Sequence, residues 1–126
     1  MKDETGPVRS LEARYYTDPE IFEVEKTGLL ARTWQFACHA SQLENPGDYV
    51  AFDLGDEGLF AIKGRDGQIR TFFNVCQHRA HQLVSGAGST RVVVCPYHAW
   101  TYELTGKLRA ALTPNRCRNL TPLKSV

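Results

Sequence analysis

The first regular pattern of apolar and polar positions along the chain is helical. Thr17-Asp18-Pro19-Glu20 places a capping residue, a proline and an acid in the order typical of a helix start. Apolar side chains then recur at roughly helical spacing up to about Arg32, although Gly28 disfavours a helix interior by about 1 kcal/mol relative to alanine. Residues 1–16 are polar and contain an early Gly6-Pro7. We therefore predict a flexible lead-in over residues 1–16 followed by one helix.

From Trp34 onward the pattern changes to short runs of apolar residues separated by turns. The aromatic-rich segment Trp34–Ala37 opens this region of predicted strands and turns. Arg65-Asp66-Gly67-Gln68 lies between two alternating runs, and an Asp-Gly pair in that position favours a β-hairpin. Predicted strands are Tyr49–Leu54, Leu59–Lys63, Ile69–Val75, Arg91–Val94, Trp100–Glu103 and Lys107–Arg109. About six to eight short strands after one helix predict a mostly antiparallel β sandwich or small barrel.

Composition and charge narrow the class of protein. The chain has 126 residues, with 15 Lys and Arg against 14 Asp and Glu, which gives a formal net charge of +1. This length suits one domain, and so balanced a charge argues against a dedicated nucleic-acid binder. No apolar run approaches the roughly 20 residues that cross a bilayer, and the acidic start Met1-Lys2-Asp3-Glu4 is unlike a signal peptide. We expect a cytoplasmic domain that binds neither nucleic acid nor membrane.

The residues that carry chemistry are cysteines and histidines. Cys76-Gln77-His78-Arg79 and Cys95-Pro96-Tyr97-His98 each place a histidine shortly after a cysteine. Each segment follows a predicted strand, so two loops at strand ends can close over one metal centre. Thiolate and imidazole ligands together suit an iron–sulfur cluster or zinc. Without a signal peptide, a metal site explains the cysteines better than disulfides do.

The two Cys/His segments, with the adjoining Arg79, Pro96, Tyr97 and Trp100, resemble the Rieske [2Fe–2S] motif. They are most similar to the version in the N-terminal domain of the large (alpha) subunit of Rieske non-haem iron, or ring-hydroxylating, oxygenases. The resemblance covers roughly residues 15–126 and extends to Trp34-Gln35-Phe36, Pro46–Tyr49, Phe73-Asn74-Val75 and Tyr102–Gly106. It implies a Rieske-type antiparallel β sandwich over residues 17–126.

The resemblance also implies a ligand set for the cluster. In Rieske centres two cysteines hold one iron and two histidines hold the other. By position, Cys76 and Cys95 hold the first iron, and His78 and His98 hold the second. We expect Trp100 to pack beneath the cluster rather than to conduct electrons.

Two departures from the family pattern concern the loops. The family often has glycine where this chain has Ala80 and Ala99, which bears on the loop backbone and not on the ligands. Respiratory Rieske proteins carry two further cysteines that tie the loops together, and the matching positions here are His81 and Tyr97. A centre without that disulfide is of the low-potential type, at about −150 mV.

The resemblance implies a function in electron transfer. Such a domain takes single electrons from a reductase or ferredoxin and passes them to a mononuclear Fe(II) in a second domain, where oxygen is activated. That iron is held by two histidines and a carboxylate. Once His78 and His98 bind the cluster, only His39 and His81 remain, and neither has a suitable spacing to an acid. We therefore expect this segment of a mono- or dioxygenase to contain no catalytic residue.

The resemblance further implies an assembly. Oxygenase large subunits commonly form homotrimers in which the cluster of one subunit faces the mononuclear iron of its neighbour, with His98 as the expected exit ligand. Leu120–Val126 still has the pattern of a chain that leads into another strand, so we expect a longer natural polypeptide. Thr33–Leu112 looks somewhat like the branch that acts on quaternary amines, although aromatic-ring oxygenases share most of the motif.

Two alternatives remain open. One is a free-standing Rieske ferredoxin, although such carriers usually lack the helical segment 17–32, Trp34 ahead of the sheet, Arg79 and Trp100. The other is a zinc-bound interaction module, although structural zinc sites usually pair cysteine with cysteine and histidine with histidine. Cys38 and Cys117 belong to neither motif, so we expect them to be ordinary buried or free thiols.

Overall fold

The computed structural model describes residues 9–111 and 122–126. The chain forms two compact units, Met1–Gln35 and Phe36–Val126. The division into a lead-in over residues 1–16 and a domain over 17–126 stays a prediction, and residues 1–8 and Cys117 lie outside the described ranges. Within those ranges, no helix is long and apolar enough to cross a membrane.

The N-terminal unit is helical. A short helix, α1, spans Arg14–Thr17, helix α2 spans Pro19–Gly28, and a 3-10 turn follows at Leu30–Arg32. The start of α2 confirms the prediction, because the Asp18 side chain accepts a hydrogen bond from Glu20 N at 2.9 Å and a proline occupies the first turn. Helix α1 lies mostly within the predicted lead-in. All residues of these three elements are at least partly exposed.

The larger sheet contains the predicted hairpin. Its strands are β1 (Asp48–Leu54), β2 (Glu57–Lys63), β3 (Ile69–Phe73) and β4 (Ala87–Ser89). They lie in the order β3-β2-β1-β4, and each pair is antiparallel. At the turn between β2 and β3, Gly64 N donates to Gln68 O at 2.8 Å and Gly67 has a φ of +78°. The Asp-Gly signal in the sequence therefore located this hairpin correctly.

Strand β4 is not apparent in the sequence, because Ala87-Gly88-Ser89 contains no β-branched or aromatic residue. It pairs with the beginning of β1, where Asp48 lies opposite Ser89. A Cβ added at Gly88 would lie 3.0 Å from the hydroxyl of Tyr49. The glycine thus allows this edge strand to approach the tyrosine closely.

The smaller sheet lies where the sequence predicts strands. It contains β5 (Val93–Val94), β6 (Thr101–Tyr102) and β7 (Leu108–Ala110), in the order β5-β6-β7 with antiparallel pairs. Strands β5 and β6 are shorter than predicted, because they pair with each other only at Val93–Tyr102 and Val94–Thr101. Strand β7 has the predicted length and begins one residue later. In the β6–β7 turn, Gly106 has a φ of +85°, and a Cβ there would lie 2.6 Å from the Phe72 ring.

The aromatic-rich segment Trp34–Ala37 forms no strand. Aromatic residues favour strands, but strand propensity needs a partner strand, and none pairs with this segment in the described part of the chain. A 3-10 helix, Ala40–Leu43, follows it and buries Leu43. Trp34 and Phe36 are largely exposed.

Apolar residues from both sheets and their loops form one core. Its buried members are Phe60, Ile62, Phe72, Cys76, Leu83, Val93, Cys95, Trp100, Tyr102, Leu104 and Leu123. The described C-terminal residues extend it, because Ser125 forms a β-bridge with Phe72 and Phe73 N donates to Lys124 O at 3.0 Å. The predicted mostly antiparallel β fold is confirmed, and its core includes both cysteines of the Cys/His segments.

Candidate metal centre

The first Cys/His segment forms a tight loop after β3, which we call the first loop (residues 76–81). Cys76 N donates a hydrogen bond to His81 O at 2.8 Å, and Ala80 N donates to Cys76 O at 2.9 Å. These two backbone hydrogen bonds hold the end of the loop against Cys76, where the loop begins. His78 therefore lies inside a turn whose ends are fixed.

The second Cys/His segment joins β5 to β6 and repeats this scheme; we call it the second loop (residues 95–100). Cys95 N donates to Trp100 O at 2.8 Å, and Ala99 N donates to Cys95 O at 2.9 Å. Each cysteine therefore pairs with the residues four and five positions later. The histidine lies one position further along in the second loop, at His98.

The alanines that depart from the family pattern have left-handed backbone. Ala80 has a φ of +53° and Ala99 a φ of +55°, and they are the only non-glycine residues with positive φ in the described ranges. An alanine in this conformation costs about 1–2 kcal/mol relative to the right-handed region. Glycine bears no such cost, which explains why the family often uses it at this point of each loop.

The two thiols are buried at the base of the loops. Cys76 and Cys95 are each 2% exposed and belong to the core. The hydroxyl of Tyr102 lies 3.4 Å from Cys76 Sγ and accepts a hydrogen bond from Gln77 N at 3.1 Å. Burial, followed by the contact with Cys76, raises the pKa of Tyr102 above its ordinary value, so the hydroxyl keeps its proton.

The two imidazoles lie together and are less buried than the thiols. The ring centroids of His78 and His98 are 4.8 Å apart, with their planes at 69°. His78 also stacks on the buried Trp100 ring, at 4.8 Å with an interplanar angle of 7°. Desolvation is the main cause that lowers the pKa of His98, followed by the electrostatic effect of His78. A lowered pKa favours the neutral form of the His98 ring, which is the form that binds metals.

Asn74 supports the first loop and was not identified from the sequence. It is the buried polar residue just before the loop, at 8% exposure. Its Oδ1 accepts hydrogen bonds from Leu83 N and Val84 N, both at 3.0 Å, and its Nδ2 donates to Val84 O at 2.8 Å. The side chain thus joins the chain that enters the loop to the chain that leaves it. The contact spans about ten residues, so local patterns do not reveal it.

The other residues considered in the sequence lie elsewhere or have structural roles. Cys38 is a half-buried free thiol, as expected. His39 caps the 3-10 helix that follows it, with Ser41 N donating to its Nδ1 at 3.2 Å. Arg79 is exposed on the first loop. Trp100 packs in the core against His78, in agreement with its expected packing role.

The donor set fits a two-iron cluster. Two thiols lie inside and two imidazoles lie in contact further out, all on a pair of similar loops. Over residues 9–111 and 122–126, no three His, Cys, Asp or Glu side chains are arranged to hold one metal ion. A Rieske centre needs no such group, because each iron takes two protein ligands, whereas structural zinc takes four.

A family model for the Rieske [2Fe-2S] domain matches residues 33–123. The chain belongs to this family. Among its relatives, the carnitine monooxygenase oxygenase subunit of Escherichia coli (strain K12) is 43% identical over 112 residues, which are 88% of this chain. This Rieske domain protein spans 29% of the length of that relative.

Solved structures of oxygenases have the same fold as this Rieske domain. A quaternary ammonium Rieske monooxygenase, described for carnitine oxidation and inter-subunit electron transfer, matches with a TM-score of 0.82 at 36% identity, covering 89% of this chain and 32% of that one. Naphthalene 1,2-dioxygenase from Rhodococcus sp. matches with a TM-score of 0.80 at 30% identity, covering 90% and 27%. The resemblance to Rieske domains of oxygenase large subunits is confirmed, and with it the [2Fe–2S] cofactor.

Proposed function

We propose that this chain is the electron-delivery domain of a Rieske non-haem iron oxygenase. The observation that carries the proposal is the pair of similar loops, which combine two buried thiols with two imidazoles in contact. The matched relatives are oxygenase subunits, which favours this function over that of a free-standing ferredoxin.

Cys76 and Cys95 hold one iron in this proposal, and His78 and His98 hold the other. The thiols lie in apolar core and the imidazoles lie nearer to solvent. Once bound, the cluster accepts and releases one electron at a time. The more exposed imidazoles then form the side through which electrons enter and leave, with His98 as the exit ligand.

The surrounding residues orient and tune these ligands. Trp100 lies flat against His78 and restricts rotation of its ring. Tyr102 donates its hydroxyl proton toward the sulfur of Cys76 and thereby offsets negative charge there. Trp100 thus acts on a ligand of one iron, and Tyr102 acts on a ligand of the other.

The partners follow from this function. A reductase or ferredoxin supplies the electrons, and a mononuclear Fe(II) site accepts them in a catalytic domain that lies outside this segment. Inter-subunit electron transfer in the quaternary ammonium monooxygenase supports an acceptor on a neighbouring subunit, and we propose that the full-length protein is a homotrimer. Carnitine monooxygenase among the relatives supports a quaternary ammonium substrate rather than an aromatic ring. We place the protein in the cytoplasm.

Cluster content is the measurement that tests the proposal. The purified chain should contain two irons and two acid-labile sulfides, and after reduction with dithionite it should give an EPR signal of low average g. The variants Cys76→Ser and His78→Ala should lose the signal. Cys38→Ser and His39→Ala change the same residue types outside the loops and should keep it.

Other results would contradict the proposal. A colourless chain with bound zinc would show that the thiols and imidazoles do not hold iron and sulfide. Loss of the signal in Cys38→Ser or His39→Ala, with retention in His78→Ala, would show that the ligands are assigned wrongly.

A further inference from the structure

The two loops contact each other through a pair of rings outside the four proposed ligands. The ring centroids of His81, at the end of the first loop, and Tyr97, in the second loop, are 5.6 Å apart with their planes at 37°. Both side chains are exposed, so they are not held there by burial in the core. Core packing therefore does not account for the contact between the two rings.

The His81 ring is fixed at its base by a hydrogen bond. Its Nδ1 lies 2.7 Å from Gln82 O, and because a carbonyl only accepts, Nδ1 must donate. The carbonyl of His81 in turn accepts from Cys76 N and closes the first loop. One residue thus completes the backbone of the first loop and extends its ring to the second.

The Tyr97 ring continues this contact to a proposed ligand. Its centroid lies 3.8 Å from that of His98, with the planes at 37°. The rings of His81, Tyr97 and His98 therefore form an unbroken series from the end of the first loop to the imidazole on the second. Cys76 and Cys95 are free thiols, so neither links the loops through a disulfide.

We propose that His81 and Tyr97 form an aromatic clasp, which holds the two loops together and slows release of the cluster. They act as positioning residues, because the clasp supports His98 and touches the proposed ligand set only through it. This inference rests on the proposed ligand assignment. A ring pair of this kind changes an equilibrium by about two- to tenfold, which sets the size of the effect to be measured.

The rate of cluster release tests the clasp directly. The [2Fe–2S]-loaded chain is mixed with excess EDTA, and decay of the visible circular dichroism of the cluster is followed at neutral pH. His81→Ala and Tyr97→Ala should each release the cluster about two- to tenfold faster than the wild type. Gln77→Ala, which removes an exposed side chain from the same loop, is the matched control and should release it at the wild-type rate.

Two further variants separate the ring contact from a general effect of truncation. His81→Phe keeps the ring but cannot bond Gln82 O, so its release rate should lie between those of the wild type and His81→Ala. His81→Leu has similar bulk without a ring and should behave like His81→Ala. The double variant His81→Ala/Tyr97→Ala should be no faster than the faster single variant, because both changes remove the same contact.

The clasp is wrong if His81→Ala releases the cluster at the wild-type rate, if His81→Phe releases it as fast as His81→Ala, or if the two single effects multiply in the double variant. Each of these results presupposes a wild-type chain that binds the cluster. Failure of the wild type to bind iron and sulfide would instead overturn the proposed function, so the two failures are distinguishable.

Discussion

The hydroxyl of Tyr102 lies 3.4 Å from the sulfur of Cys76, in the core between the two sheets. The same oxygen accepts the N–H of Gln77, so its own proton is available to the sulfur. Because burial raises the pKa of Tyr102 above its ordinary value of 10.0, this hydroxyl remains a donor throughout the physiological pH range. The contact joins a residue of β6 to the loop that follows β3.

Removing this hydroxyl should lower the reduction potential of the cluster. Reduction adds negative charge, so a hydrogen bond to a ligand sulfur stabilises the reduced form more than the oxidised form. A bond of about 0.5–1.5 kcal/mol corresponds to a shift of about 20–65 mV for one electron. We expect Tyr102→Phe to shift the potential downward by that amount in a redox titration followed by circular dichroism.

Tyr97→Phe is the control for this experiment, since it removes a tyrosine hydroxyl in the second loop and keeps the ring. It should leave the potential close to that of the wild type, because Tyr102 is the tyrosine beside a ligand sulfur. Equal shifts in both variants would show that the hydrogen bond to Cys76 does not set the potential.

The left-handed alanines offer a prediction about stability. Replacing Ala80 or Ala99 with glycine removes a backbone cost of about 1–2 kcal/mol, offset by about 0.5–1 kcal/mol of extra chain entropy in the unfolded state. Each variant should therefore raise the free energy of unfolding by about 0.5–1 kcal/mol. Urea unfolding of the cluster-loaded chain, followed by far-ultraviolet circular dichroism, measures this difference.

Ala87→Gly serves as the matched substitution, because Ala87 lies in strand β4 without a positive φ. There glycine should lower the free energy of unfolding by about 0.5–1 kcal/mol. A loss of stability in Ala80→Gly similar to that in Ala87→Gly would contradict the backbone argument.

Local sequence signals predicted the elements whose causes are local. Asp66-Gly67 located the β2–β3 hairpin, and Asp18 located the start of α2, because a turn or a cap is formed by neighbouring residues. Strand β4 escaped prediction, since Ala-Gly-Ser becomes a strand only through its pairing with β1. Trp34–Ala37 is the opposite case: its composition favours a strand, but the segment has no partner strand among the described residues.

The candidate site also has a part that local sequence signals predicted and a part that they did not. The spacing of cysteine and histidine was visible in the sequence, and the structure places all four side chains on two similar loops. The contacts that support them were not visible, because Tyr102 meets Cys76 from 26 residues away and Asn74 meets Val84 from 10. Such contacts depend on how the two sheets pack, which no local pattern records.

The ion pair of the β2–β3 hairpin predicts a pH dependence. Arg70 donates to both carboxylate oxygens of Asp66, at 3.0 Å and 2.7 Å, and with Gln68 N it lowers the pKa of Asp66 from 3.8 to about 2. Because the pKa of Asp66 is lower in the folded state than in the unfolded state, the ion pair contributes fully to stability above the unfolded-state pKa. That contribution is lost as the pH falls through the folded-state pKa. The destabilisation caused by Asp66→Asn should therefore shrink below about pH 4.

Carbon-13 NMR of the side-chain carboxyl tests this directly. Asp66 should titrate near pH 2 in the wild type and closer to 3.8 in Arg70→Gln. Asp53→Asn changes an exposed carboxylate on β1. It should leave the pKa of Asp66 unchanged, both in the wild type and in Arg70→Gln. An unchanged Asp66 titration in Arg70→Gln would exclude the guanidinium as the cause.

Asn74 provides a prediction for the base of the first loop. Asn74→Ala leaves the buried N–H of Leu83 and the part-buried N–H of Val84 without their side-chain acceptor, at about 1–3 kcal/mol for a buried group and less for a part-buried one. We expect the free energy of unfolding to fall by about 2–4 kcal/mol in urea titrations. Asn74→Asp keeps the acceptor but loses the bond to Val84 O, so it should lose less.

Gln82→Ala is the matched control for Asn74→Ala. The side-chain Nε2 of Gln82 donates to the same Val84 O at 2.9 Å, but from an exposed position. Water can replace an exposed donor, so Gln82→Ala should change stability by less than about 0.5 kcal/mol. If the two alanine variants lose equal stability, the shared bond to Val84 O is what matters, and the N–H groups of Leu83 and Val84 contribute little. A large loss in Asn74→Ala alone would show that the buried acceptor holds the chain leaving the first loop against the end of β3.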